Sequence, residues 1–254
     1  METQTITGAL PLPEGDRLAY VRQPGHGPEL LFLCGFRSDM GGTKATRLSE
    51  HCRRRGQAMT RLDYRGHGAS TGRFEDACIG DWCDDALAIL DRVTSGPVLL
   101  VGSSMGGWIA LLVALARQRR IAGLLGIAAA PDFTSELIEP ALTSAQRTAL
   151  DTRGSFEVPS IYGEPLIITR RLIEDGGRHR LLGGPIDLRC PVHLLHGEQD
   201  PDVPHSLSLR LAAQLRSPAV TVELIADGDH RLSREEDLRR VCAAVDRLTD
   251  AVRV

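Results

Sequence analysis

The sequence predicts an α/β protein: a mostly parallel, eight-stranded sheet flanked by helices on both faces. Three observations carry this expectation. Short apolar runs alternate with segments of helical apolar spacing along most of the chain, the pattern of a parallel sheet built from strand–helix–strand units. Two strand-like runs at the start are joined by a turn alone, which suits an antiparallel hairpin at one sheet edge. One long stretch, 132–189, breaks the rhythm with helical segments and turns but no clear strand, and a bare loop of that length is improbable in a packed domain.

Taken in order, Thr5–Leu10 and Leu18–Gln23 flank the turn PLPEGD and form the expected hairpin. Leu30–Cys34 (LLFLC) reads as a buried strand ending at Gly35-Phe36. A helix follows from Thr43 to Arg55, with Gly56 placed to close it as a left-handed cap. Ala58–Asp63 is the next strand and runs into DYRGHGAST; residues 76–93 are helical. Pro97–Gly102 is a strand, Ser104–Arg117 a helix and Ile121–Ala128 a strand. After the irregular stretch come strand Val192–His196, helix 205–216, strand Val220–Ile225 and a closing helix 233–251. Residues 1–131 and 190–254 are thus the core, and 132–189 an inserted helical cap over the carboxyl ends of the strands, where open α/β sheets bind ligands.

Composition narrows the function. The 254 residues carry 42% hydrophobic and 25% charged residues and a formal net charge of −3, with a pI near 6.2. That balance supports a full core and gives no electrostatic case for nucleic acid or an anionic membrane. The basic clusters Arg53-Arg54-Arg55, Arg119-Arg120 and Arg170-Arg171 read as solvated helix ends. The opening METQTITGAL has neither a basic n-region nor an apolar h-region, and no run is long enough to span a bilayer. The six cysteines form no CxxC pair and no zinc spacing. Reduced thiols in a cytoplasmic protein, without metal or organic cofactor, are therefore expected.

The chemistry concentrates in VLLVGSSMGGW, residues 98–108. Gly102-Ser103-Ser104-Met105-Gly106 fits G-x-S-x-G with Ser104 central, preceded by a strand and followed by a helix. A serine there occupies a strained turn that pushes its hydroxyl out of the sheet, and the flanking glycines leave room for it. A serine hydroxyl needs a base, and the base an orienting acid, in the chain order Ser, Asp or Glu, His. Asp200 lies on the loop HGEQDPDVP after one strand, with Asp202 as its alternative, and His230 lies in GDH after the next strand. His196 is read as bracing the acid loop and His67 as a turn residue. The oxyanion donors are expected to be the backbone amides of Met105 and of Phe36 in CGFR.

With these elements in place, the chain resembles the α/β-hydrolase family. GSSMG (102–106), LDYRGHGAS (62–70), HGEQDPDVP (196–204) and GDH (228–230) carry the likeness. A narrower resemblance, on CGFRSDMGGTKA, GSSMGGW, CPVHLLHGEQDPDVP and GDHRLS, is to mitochondrial α/β-hydrolase-domain palmitoyl-protein thioesterases that also cleave acyl glucuronides. It implies a Ser104–His230–Asp200 hydrolase of esters or thioesters, acting on a small molecule or an S-acylated protein. Cys34 stands where many members carry histidine. Phe133, Leu137, Ile138, Phe156, Ile161 and Tyr162 are candidates to face an acyl chain. Trp108 reads as core, and Arg37 and Lys44 as solvent-facing groups with an alternative role in receiving a carboxylate. Peptide cleavage on the same fold, or ligand binding without catalysis, are the competing readings.

Overall fold

Ile6–Pro11 (β1) and Arg17–Gln23 (β2) form the expected antiparallel hairpin, in register from Ile6 opposite Arg22 to Pro11 opposite Arg17. The structure, a computed structural model, describes residues 4–160 and 163–252. The core continues through His26–Leu33 (β3), Thr43–Arg55 (α1), Gln57–Leu62 (β4), Ile79–Arg92 (α2), Val98–Ser103 (β5), Met105–Ala116 (α3) and Ile121–Ile127 (β6). Residues 132–189 hold Glu139–Ala141 (α4), Ser144–Arg153 (α5), Ser155–Ser160 (β7), Gly163–Thr169 (β8), Arg170–Arg178 (α6) and Ile186–Asp187 (β9). The chain closes with Val192–Gly197 (β10), Ser206–Gln214 (α7), Leu215–Arg216 (β11), Val220–Ile225 (β12) and Glu235–Val252 (α8).

The main sheet has eight strands in the order β1-β2-β4-β3-β5-β6-β10-β12. Only β2 runs against its neighbours; the pairs from β4 to β12 are parallel. Central strand β5 is buried throughout, as a strand covered on both faces must be. Helices α1 and α8 pack together, as do α2 and α3. Gly56 ends α1 at φ 64°, the left-handed cap read from the sequence. Helix α3 is apolar nearly all round (MGGWIALLVALA) and buries nine of its twelve residues, because it lies between the sheet and α2.

The 132–189 segment departs from a purely helical reading. Strands β7 and β8 pair antiparallel, with Phe156 opposite Ile168 and Val158 opposite Leu166. Those four apolar side chains line one cavity, while Glu157 between them is exposed. This is period-two patterning, made hard to read by its shortness and by Pro159 and Pro165. Asp132 closes the segment on itself. Its fully buried carboxylate accepts the amides of Leu181 (2.8 Å) and Leu182 (2.8 Å). Among the described residues, no helix is long and apolar enough to cross a membrane.

Candidate active site

Strand β5 delivers Ser104 at the N-cap of α3 with φ 54° and ψ −120°, a left-handed backbone rarely held by a non-glycine residue. The turn is tight enough to exclude side chains on both flanks. A Cβ on Gly102 would sit 2.2 Å from the Gly106 carbonyl oxygen, and one on Gly106 would sit 2.1 Å from the Leu33 carbonyl oxygen. The glycines of the motif thus let α3 press onto β3 and β5, and the serine hydroxyl is left at the carboxyl edge of the sheet.

Two further loops at that edge supply the partners. Nε2 of His230, after β12, lies 3.1 Å from Ser104 Oγ, and its Nδ1 lies 2.7 Å from Asp200 Oδ2, after β10. A carboxylate only accepts, so Nδ1 carries the proton and bare Nε2 faces the hydroxyl. The Asp200 side chain is fully buried and His230 is 18% exposed. Burial pushes the Asp200 carboxyl up, but hydrogen bonds from His196 and His230 and the Val203 amide overcome it, and the group lies far below the usual carboxylate range. Its other oxygen accepts the amides of Asp202 (2.9 Å) and Val203 (2.8 Å). Asp202 therefore serves through its backbone, with its side chain exposed. Asp200, Asp202 and His230 place possible ligand atoms within 4.8 Å of one another, but both Asp200 oxygens are already engaged by these donors.

His196 braces the acid loop, as the sequence suggests, and the structure adds Ser208. Nε2 of His196 lies 3.1 Å from Asp200 Oδ2 and 3.0 Å from the Val203 carbonyl, both acceptors, so Nε2 is protonated and donates. Nδ1 then accepts the Ser208 hydroxyl at 2.7 Å. Ser208 lies on α7, twelve residues from His196, and no local pattern marks it.

Phe36 and Met105 both border the cavity beside Ser104. Among the described residues, neither amide donates to a backbone or side-chain acceptor. The Phe36 ring meets Phe74, Trp82 and the segment's Phe133 edge-on at 4.8, 5.9 and 5.6 Å. The cavity holds about 1230 Å³, and its lining includes Phe133, Leu137, Ile138, Phe156, Leu166 and Ile168. Ile161 and Tyr162 lie outside the described residues. Trp108 is core: it is fully buried, with Nε1 donating to the His179 carbonyl at 3.1 Å.

Arg37 and Lys44 also border the cavity, but each is already engaged. Arg37 Nη1 donates to the Pro165 carbonyl at 2.6 Å, and Lys44 Nζ to the Arg231 carbonyl at 2.5 Å. Burial pushes the Lys44 amine down to about 8, Asp229 partly opposing it. His67 lies in the turn read from the sequence, its amide donating to the Tyr64 carbonyl at 2.9 Å, but its ring is buried. The residue is 4% exposed among Tyr64, Phe74 and Trp82, and burial pushes its imidazole down to about 4.

Comparison with known proteins agrees with this architecture. The family model described as Hydrolase_4, serine aminopeptidase S33, matches residues 29–172. The rat palmitoyl-protein thioesterase ABHD10, named mitochondrial, is 37% identical over 97% of this chain and 84% of its own length. Its human counterpart, also named mitochondrial, is 35% identical over 97% of this chain and 81% of its own length. Both names stand against the cytoplasmic expectation. Among solved structures, a putative hydrolase from Agrobacterium vitis S4 has a TM-score of 0.93 and 41% identity, covering 97% of this chain and 99% of that one. Mouse ABHD10 has a TM-score of 0.90 and 37% identity with the same coverage. On its sheet order, its G-x-S-x-G turn and these matches, the chain belongs to the α/β-hydrolase family and is a hydrolase akin to the ABHD10 thioesterases.

Proposed function

We propose that this protein cleaves carboxylic esters or thioesters by two-step acyl transfer, with Ser104 as nucleophile, His230 as general base and acid, and Asp200 as the orienting carboxylate. The observation that carries the reading is the unbroken row from Ser104 Oγ through His230 to Asp200, at 3.1 and 2.7 Å, opening into a mostly apolar cavity. His230 Nε2 takes the hydroxyl proton as Oγ attacks the carbonyl carbon. The buried Asp200 charge stabilises the imidazolium so formed. The amides of Phe36 and Met105, the second at the N-terminus of α3, receive the oxyanion. His230 then protonates an alcohol or thiol as the bond to the acyl carbon breaks. Water attacks the acyl-enzyme by the same route and frees the acid.

Residues 132–189 act as the cap and supply the acyl wall. The cavity exceeds the roughly 300–1,000 Å³ of most small-ligand sites, which suits a long acyl chain. The rat and human relatives are named for palmitoyl thioester cleavage, so an S-palmitoyl thioester is the substrate class we favour, followed by acyl-glucuronide-type esters. Six buried free cysteines fit a reducing compartment, a property shared by the cytoplasm and the mitochondrial matrix.

A fluorophosphonate probe should label the wild type and not Ser104→Ala. A panel of p-nitrophenyl esters, an S-palmitoyl peptide and aminoacyl p-nitroanilides then sorts the chemistry. Hydrolysis confined to the anilides would replace this reading with a peptidase, in line with the family model's description. No labelling at all would leave a ligand-binding protein.

A further inference from the structure

The hydrogen bonds of LDYRGHGAS (62–70) lead from this motif to the loop that carries the Phe36 amide. Asp63 Oδ1 accepts the Met40 amide at 2.7 Å, and Asp63 Oδ2 accepts the Ala69 amide at 2.8 Å. Nδ1 of His67 lies 3.2 Å from the Arg65 carbonyl. A carbonyl only accepts, so Nδ1 bears the proton and Nε2 is bare. That bare Nε2 accepts the Arg37 amide at 3.3 Å. The loop after β3 is therefore fastened at two points, Arg37 and Met40, to the loop after β4.

The position of the first fastening matters. Arg37 directly follows Phe36, and its φ of 53° lies in the left-handed region, which a side-chain-bearing residue keeps only when its surroundings hold it there. Fixing the Arg37 amide fixes the peptide plane on the C-terminal side of Phe36. Its ring, meanwhile, is held by Phe74, Trp82 and Phe133. A fixed amide is what a developing oxyanion requires, since the donor then needs no reorganisation during the reaction.

The chemistry of the acceptor also fits. A carboxylate at position 67 would place a negative charge beside the site where an oxyanion forms. A buried imidazole is a neutral acceptor, and its surroundings keep it neutral well below pH 7.

We propose that His67 is a positioning residue which, by accepting the Arg37 amide through Nε2, holds the Phe36 amide aimed at the substrate oxyanion. The proposal rests on the serine-hydrolase reading above, and the test separates the two. If the wild type takes no fluorophosphonate label, that reading fails before His67 is at issue. With labelling established, His67→Leu fills the ring's space without an acceptor, and His67→Gln restores an acceptor oxygen. For p-nitrophenyl butyrate, His67→Leu should lower kcat by roughly 10- to 100-fold with KM changed by less than about threefold. Its affinity for a trifluoromethyl ketone, which forms a tetrahedral adduct on the serine, should weaken in the same ratio, and His67→Gln should recover much of both losses. A folded His67→Leu with kcat within about threefold of wild type, or with unchanged ketone affinity, overturns the proposal, as does a folded His67→Gln no better than His67→Leu. Should the variants fail to fold, 15N imidazole NMR of the wild type decides: the Nδ1–H tautomer of His67 is expected, and an Nε2–H tautomer, which cannot accept, overturns it.

Discussion

Asp132→Ala tests how the 132–189 segment is held. Asp132 opens the 132–189 segment, is fully buried, and receives the amides of Leu181 and Leu182 from the segment's far end. Alanine leaves one buried and one half-buried amide without an acceptor, which costs about 3 kcal/mol together. The φ of 58° at this position is tolerated by aspartate better than by alanine, adding about 1 kcal/mol. The sum, about 4 kcal/mol, corresponds to a Tm lower by roughly 8–16 °C in a chain of this size. Asparagine keeps one acceptor oxygen and the left-handed tolerance. It also avoids burying a charge, and burial does push the Asp132 carboxyl above its ordinary value, with the Leu182 and Leu181 amides partly opposing this. Asp132→Asn should therefore stay within about 4 °C of wild type. Circular dichroism melts measure both, with hydrolysis of a long-chain ester as a second readout. An alanine variant melting within about 3 °C of wild type, or an asparagine variant as damaged as alanine, would refute the clasp.

Three other outcomes follow from the same structure. Gly106→Ala drives a methyl group to 2.1 Å from the Leu33 carbonyl oxygen; it should cost about 3 kcal/mol or more and lower Tm by at least roughly 6 °C, and a wild-type melt would show that the turn relaxes freely. Phe156→Trp enlarges a buried cavity wall and should cut kcat/KM for p-nitrophenyl palmitate by about tenfold or more while sparing the butyrate within about threefold; equal losses on both esters would remove Phe156 from the acyl wall. Asp200 favours its charged form in the folded state, so its contribution to stability is complete above about pH 4 and drains away as pH falls through its depressed value. Urea unfolding of the wild type should accordingly weaken more steeply below about pH 4 than that of Asp200→Asn, and parallel acid limbs would count against this.

The sequence by itself determined the alternation of strands and helices, the edge hairpin, the serine turn and the order of the three candidate side chains. These are local properties. Apolar periodicity reports burial, glycine reports where backbone must approach backbone, and a motif of five residues reports one turn. Tertiary structure alone decided what lies far apart in the chain and meets in space. Asp132 clasps amides about fifty positions onward. Ser208 meets the second ring nitrogen of a histidine twelve residues away. His67, read locally as part of a turn, holds Arg37, thirty residues upstream in the loop of Phe36. The pairing of β7 with β8 stayed hidden because its alternation is short and broken by proline. Each of these rests on a buried polar group finding its partner, or on an apolar face finding its cover. Such a pairing is fixed by the packing of the whole chain and leaves no period in the sequence around it.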